Sequence, residues 1–388
     1  MMHPDNAFKI IDSIEGTAAL EEVPIIEAAG RVLPNPVFST LASPPFSKAA
    51  MDGYALQKSD PSGSFTVLET IAAGDVPSRA VEKGTCSKIM TGAMVPEGAD
   101  KIVRVEFTSE ENGRMKVVTP EPYDNIIRKG ENLAAGEPVL TPRILKPQDI
   151  GVLASMGIPS VEAAKPPLVG IITTGSELVN PGNPLKPGQI YNSNGYQICS
   201  QTARVNCPWK YYGVVEDNQE ALSAAFSQAI SECDFVLLSG GVSMGDFDFV
   251  PGIIRDGGAE ILFHKLAIKP GKPTLFARKG SSCIFGLPGN PVSTFVIFEV
   301  LVKPSLLKWM GLSWKSEYFQ AVLSESIIRR DGDRVEYRPV QVEGHSIVPF
   351  PYHGSAHLNA LSRANGIIRI EQGILKLEKG TAVDVRPI

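Results

Sequence analysis

One device occurs three times between Leu168 and Ser293: an apolar run followed by a loop of glycine, serine, threonine and carboxylate. The runs are LVGII, DFVLL and SCIFG, and the loops read TTGSEL (173–178), SGGVSMGDFD (239–248) and GLPGNPVS (286–293). A run that is apolar at every position, not at alternate ones, must be covered on both faces, as in a parallel sheet flanked by helices. Open sheets of this kind collect ligands at the carboxyl ends of their strands. The three loops are therefore expected to meet at one anionic ligand in a central doubly wound α/β domain.

The texture around that domain differs. Residues 5–14 read as a short amphipathic helix, with Asp5 as N-cap and Phe8, Ile11 and Ile14 on one stripe. From 43 to 142, β-type runs (SFTVLET, KIVRVEF, MKVVT) alternate with PSG, EGAD and ENG turns, which describes a β-rich insert. A helix is expected at 147–156, where Pro147 suits the first turn, and KPP at 165–167 marks a boundary. Helices are also expected at 219–233 and, after Asn290 as cap, at 291–310. The tail returns to short strands and reads as a small β-barrel, with Trp309 and Trp314 at the hinge leading into it. The expected division is an N-terminal helical and linker domain (1–42 and 143–165), the insert (43–142), the α/β domain (166–312) and the C-terminal β-barrel domain (313–388).

Composition removes several classes. At 388 residues and 43% hydrophobic, the chain can bury more than one core. A formal charge of −5 argues against a nucleic-acid partner. No run is long enough to span a bilayer, and MMHPDNAFKIID lacks the basic-then-apolar order of a secretory signal, so no membrane association and a cytoplasmic location are expected. Five cysteines without a CxxC pair fit reduced thiols with packing roles.

The loops carry the chemistry. Gly240 and Gly241, with Ser243 after them, offer backbone N–H groups unshielded by side chains, a nest suited to phosphate or equally a tight turn. GLPGNP frames a rigid loop with Pro288 and Pro291 and leads into a helix start beside Ser293. KPGKP places Lys269 and Lys272 between prolines just before another strand. Glu177, Asp217, Asp246 and Asp248 punctuate the same loops and would repel an anion unless a hard cation lay between, so Mg²⁺ is expected. Singly, Asp217 could cap the helix at 219 and Glu177 could be a surface residue. His353 and His357 have i, i+4 spacing but no third ligand nearby, which argues against a zinc pair.

The runs SPPFSKAAMDGYAL, IMTGAMVPEGADKIV, TTGSEL, GQIYNSNGYQI, SGGVSMGDFDFV, KPGKPTLF, GLPGNPVSTF and SRANGII follow in the order found in the molybdopterin molybdenumtransferase (MoeA) family, which includes the gephyrin E domain, and the chain closely resembles it. The resemblance implies an elongated homodimer of four domains per chain. It implies a Mg²⁺-dependent transferase of molybdenum cofactor biosynthesis that takes molybdate and adenylylated molybdopterin and releases AMP. The active cleft would be bounded by the β-rich domain of a second copy, and an adenylyltransferase of the preceding step would be a handover partner.

By motif position the resemblance assigns function to Asp52, Thr91, Glu177, Asp217, Asp248, Pro288 and Pro291. It places molybdate contacts at Lys272, Ser293, Arg334 and Ser355. The carboxylates Glu177, Asp217 and Asp248 are the implied metal ligands, and with Asp52 the implied catalytic set. Ile127 and Asn132 in NIIRKGEN depart from the family's usual arginine and aspartate, and Phe249 stands where tyrosine is frequent. Two alternatives share the fold: adenylyl transfer from ATP, and a non-catalytic scaffold.

Overall fold

The three apolar runs become three adjacent parallel strands, Val169–Thr174, Phe235–Ser239 and Ser282–Leu287, paired in that order in a computed structural model of the chain. The structure describes residues 1–14, 18–242, 249–312, 317–350, 354 and 356–388. Trp209–Val215 adds a fourth parallel strand beyond Val169–Thr174. On the other side the sheet turns antiparallel through Leu275–Lys279 and Glu260–His264. The change of direction comes from a hairpin: only two residues, Gly280 and Ser281, separate Lys279 from Ser282, too few for a helical crossover.

Helices cover both faces of this mixed sheet, which explains why its inner strands are buried at nearly every position and lack an alternating apolar pattern. The helices are α1 (Pro4–Asp12), α2 (Pro147–Ser155), α3 (Ser193–Arg204), α4 (Gln219–Glu232), α5 (Val250–Asp256), α6 (Pro291–Ile297) and α7 (Lys303–Trp309). Leu222 and Phe226 of α4 and Ile253 and Ile254 of α5 pack with Ile172, Val236 and Leu238 on one face. Ile198 of α3, Val292 and Val296 of α6, and Leu306 of α7 pack with Ile171, Leu237 and Phe285 on the other. Ala7 and Ile11 of α1 and Val335, Tyr337 and Ile367 of the C-terminal region join this second core.

Two helix expectations are corrected. The cap of α1 is His3, whose Nδ1 accepts from the Asp5 N–H at 3.4 Å, because Pro4 fits the first helical position and donates nothing. Asp5 instead pairs with Arg369 at 2.7 Å. The run 291–310 is not one regular helix. A π-helical turn, Phe298–Val302, separates α6 from α7 next to Pro304, which has no N–H for the carbonyl four residues back. Trp309 lies in the main core, edge-on to Phe235 at 6.2 Å, while Trp314 lies outside the described residues.

The β-rich region forms a sheet in the order Lys101–Arg104, Gly53–Leu56, Thr85–Ile89, Ser64–Ile71, Arg114–Val117 and Thr108–Glu111, with a small core on each side. In the C-terminal region Val335–Glu343, Ser346–Val348, Phe319–Leu323, Ala382–Pro387 and Gly366–Ile370 close into a barrel when the first pairs with the last. All five cysteines are buried and unpaired, and burial pushes the Cys86, Cys207 and Cys283 thiols up to about 12, which suits packing over reactivity. Among the described residues no helix is long and apolar enough to cross a membrane.

Candidate functional site

Parallel strands end at the same edge, so the loops after Thr174, Ser239 and Leu287 open onto one cleft of about 810 Å³. Gly240 makes a turn that only glycine fits. Its φ of +102° is one that side chains avoid, and a Cβ there would sit 2.2 Å from the Thr174 carbonyl oxygen. The Gly240 N–H donates to the Leu287 carbonyl at 3.3 Å, tying two strand tips together. Of the two readings of this glycine pair, the tight turn holds at Gly240: the ladder between the strands continues one residue further and consumes its N–H.

The cleft carries opposite charges on different walls. Glu177, exposed, and Asp217, half-buried, lie at the tips of neighbouring strands. Thr174 Oγ1 donates to Asp217 Oδ1 at 3.1 Å, and Asn218, not Asp217, caps α4 by accepting from the Ala221 N–H at 2.9 Å. Asp217 is thus held to the sheet edge and released from the helix.

The cationic wall comes from an unexpected pairing. Ile268–Lys269 aligns in parallel with Val335–Glu336, so the KPGKP segment becomes an arm of the C-terminal barrel. The pairing brings Lys269 close to Arg334, which bonds the Ile268 carbonyl at 3.4 Å, and Lys272 lines the same cleft. Lys269 also bonds Asp331 at 3.3 Å and holds that carboxyl below its ordinary range.

Of the residues singled out from sequence, Glu177, Asp217, Gly240, Gly241, Lys269, Lys272, Pro288, Pro291, Ser293 and Arg334 line this cleft. Asp52 and Thr91 do not. They stand together in the β-rich region, where the Thr91 hydroxyl and backbone N–H both donate to Asp52 Oδ1 at 2.6 Å. Those bonds hold the exposed Asp52 carboxyl below its ordinary range. Ser243, Asp248, Ser355, Asp246 and His353 lie outside the described residues.

Three wall residues were missed. Asn192 caps α3 through its Oδ1, and its amide donates to the Tyr211 hydroxyl at 2.5 Å and to Thr173 at 3.2 Å. Asn194 donates to Ser239 Oγ at 2.9 Å and to the Gly289 carbonyl at 2.8 Å, clamping two of the loops together, while its buried Oδ1 has no partner. Glu336 is a buried carboxylate on the cationic wall. The cap signal of NSN before a helical run was legible; the clamp depends on loops 45 and 95 residues away and was not.

Because two bonds lower the Asp52 pKa, its charge persists in the folded protein as pH falls below the ordinary carboxylate range and is lost only near the lowered value. Replacing Thr91 with valine removes the hydroxyl bond. A titration of Asp52 by carboxyl NMR should then move upward toward the ordinary value, and an unmoved curve would show that the pair does not tune it.

Family models match three consecutive stretches: the MoeA N-terminal region (domain I and II) over 2–157, a probable molybdopterin binding domain over 170–308, and the MoeA C-terminal region (domain IV) over 320–388. A molybdopterin molybdenumtransferase from Haemophilus influenzae is 34% identical over 98% of this chain and 96% of its own length. One from Bacillus subtilis is 32% identical over 98% of this chain and 93% of its own. A crystal structure of a molybdopterin biosynthesis moeA protein from Pyrococcus horikoshii superposes with a TM-score of 0.85 at 29% identity, covering 100% of both chains.

Proposed function

We propose a function from one premise: this chain belongs to the MoeA family of molybdopterin molybdenumtransferases. It acts in molybdenum cofactor biosynthesis, taking adenylylated molybdopterin and molybdate, leaving molybdenum on the dithiolene sulfurs and releasing AMP. The observation that carries this reading is the division of one cleft into a wall with Glu177 and Asp217 and a wall with Lys269, Lys272 and Arg334. A nucleotide-linked substrate and a dianionic oxyanion are both anions: the basic side suits the oxyanion directly, and the acidic side suits the phosphates through a bridging cation.

The acidic wall also fits magnesium. Mg²⁺ takes one or two carboxylates and completes its shell with water and phosphate oxygens. Glu177 and Asp217 match that number, and among the described residues no cluster of three or more ligating side chains would make a closed site. Asp248 is the third carboxylate that the resemblance implies. Bound magnesium would neutralise charge on the phosphate oxygens. The chain's own groups do the rest: Thr174 orients one Asp217 oxygen, Asn194 keeps two loops in register, and the basic wall holds the oxyanion.

The Asp52–Thr91 pair, exposed and outside this chain's own cleft, supports completion of the site by a second copy, and hence a homodimer. Asp52→Ala and Asp217→Ala chains, each inactive alone, should regain about a quarter of the wild-type rate when refolded together, because half of the random dimers carry one intact site of two. No recovery would place both residues in the same chain's site. The function itself is tested by incubating purified protein with adenylylated molybdopterin, molybdate and Mg²⁺. AMP release coupled to formation of cofactor that activates a molybdoenzyme apoprotein supports it, and AMP release without molybdenum transfer refutes it.

A further inference from the structure

We propose that Arg329, which lies outside the cleft lining, sets the charge of the oxyanion corner by neutralising Glu336, and positions Arg334 while doing so. The proposal rests on the reading of the cleft given above. Glu336 is part of the cleft wall and only 6% exposed. An unscreened carboxylate there would repel a dianion. Arg329 Nε donates to Glu336 Oε2 at 3.0 Å, and Arg338 Nη1 lies 3.7 Å from the other oxygen.

Arg329 is itself buried, and its remaining bonds go to the backbone. One Nη donates to the Glu371 and Ile374 carbonyls at 2.9 and 2.7 Å, and the other to the Arg334 carbonyl at 2.5 Å. The last bond matters most, because it fixes the main chain from which the Arg334 side chain reaches the cleft. One residue further on, Val335 is anchored against Ile268 in the short parallel pairing. One guanidinium therefore controls both the shape and the sign of this corner. Its planar fork is what lets it hold a carboxylate and three carbonyls together, which an ammonium could not do.

A purely structural role is the competing explanation, but a buried ion pair is weak support for stability, since apolar residues of similar volume often serve as well. The surrounding charges sharpen the electrostatic case. Lys269 sits opposite Glu336 in the strand register and is already engaged by Asp331, and Arg334 bonds the Ile268 carbonyl at 3.4 Å. With Lys269 partly neutralised by Asp331, a second bare carboxylate at Glu336 would cancel much of what Arg334 and Lys272 provide.

The test is molybdate binding to the full chain by titration calorimetry. Glu336→Gln keeps an oxygen for Arg329 but removes the charge, and should bind molybdate about fivefold tighter. Arg329→Gln should bind about tenfold more weakly, and Arg329→Gln combined with Glu336→Gln should recover most of that loss. A structural role alone gives weaker binding in every variant. The proposal is overturned if Glu336→Gln fails to tighten binding, a result that decides the matter even where Arg329 variants do not fold. It is equally overturned if the double variant is no better than Arg329→Gln. Failure of the wild-type chain to bind molybdate would instead sink the reading of the cleft.

Discussion

Asp217→Ala is expected to lower molybdenum transfer by about a hundredfold or more while leaving the fold intact. The carboxylate is half-buried at the cleft edge and accepts from the neutral Thr174 hydroxyl, so its removal leaves no buried charge unmatched. Thr174→Val should show a smaller loss, about tenfold, because the carboxylate stays but loses the bond that orients it. Both effects are read as single-turnover AMP release, with thermal unfolding as the control. Transfer by Asp217→Ala within twofold of wild type would remove Asp217 from the acidic wall's chemistry.

Gly240→Ala should be the most damaging substitution of a single small side chain in the cleft. The new methyl group would meet the Thr174 carbonyl oxygen at 2.2 Å, on backbone, and φ of +102° is strained for any residue with a Cβ. We expect a loss of about 3 kcal/mol or more, read from the shift of the urea midpoint at constant slope. Gly241→Ala is the internal comparison. Its φ is +62° and its nearest contacts are side-chain methyls at 3.1 and 3.4 Å, so the cost should be about 1–2 kcal/mol. Equal losses at the two positions would mean that the close approach of two strand tips is not what requires glycine.

Much of this architecture could be read directly because its causes are local. Continuous apolar runs are forced by burial on two faces, and LVGII, DFVLL and SCIFG lie side by side as strands. Pro147 and Pro291 mark helix starts for a reason confined to one residue, the missing N–H. Local rules misled where neighbours competed. Asp5 is a good cap in isolation, but Pro4 moved the cap back by two residues to His3, and Arg369, far along the chain, claimed the carboxylate.

The site was legible by wall, not as a whole. The glycine loops and carboxylates announced the acidic side through position after strands, and Lys269 and Lys272 announced a cationic element through their proline frame. What joins those lysines to Arg334 is a two-residue parallel pairing across some 66 residues of sequence, and no periodicity encodes such a partner. Glu336 was invisible for a related reason. In a strand reading VEYRP it resembles an outward-facing residue, and what makes its burial tolerable is the bond from Arg329 behind it, with Arg338 near its other oxygen.

The short seam between Ile268–Lys269 and Val335–Glu336 divides responsibility in a way that bears on how such proteins diversify. If the cleft works as proposed, recognition of the organic substrate is written on loops of the central sheet, whereas capture of the inorganic one depends on how a separate barrel is latched to it. Drift in the latch could retune preference among tetrahedral anions without disturbing the nucleotide side, and the two affinities are free to be inherited on different schedules.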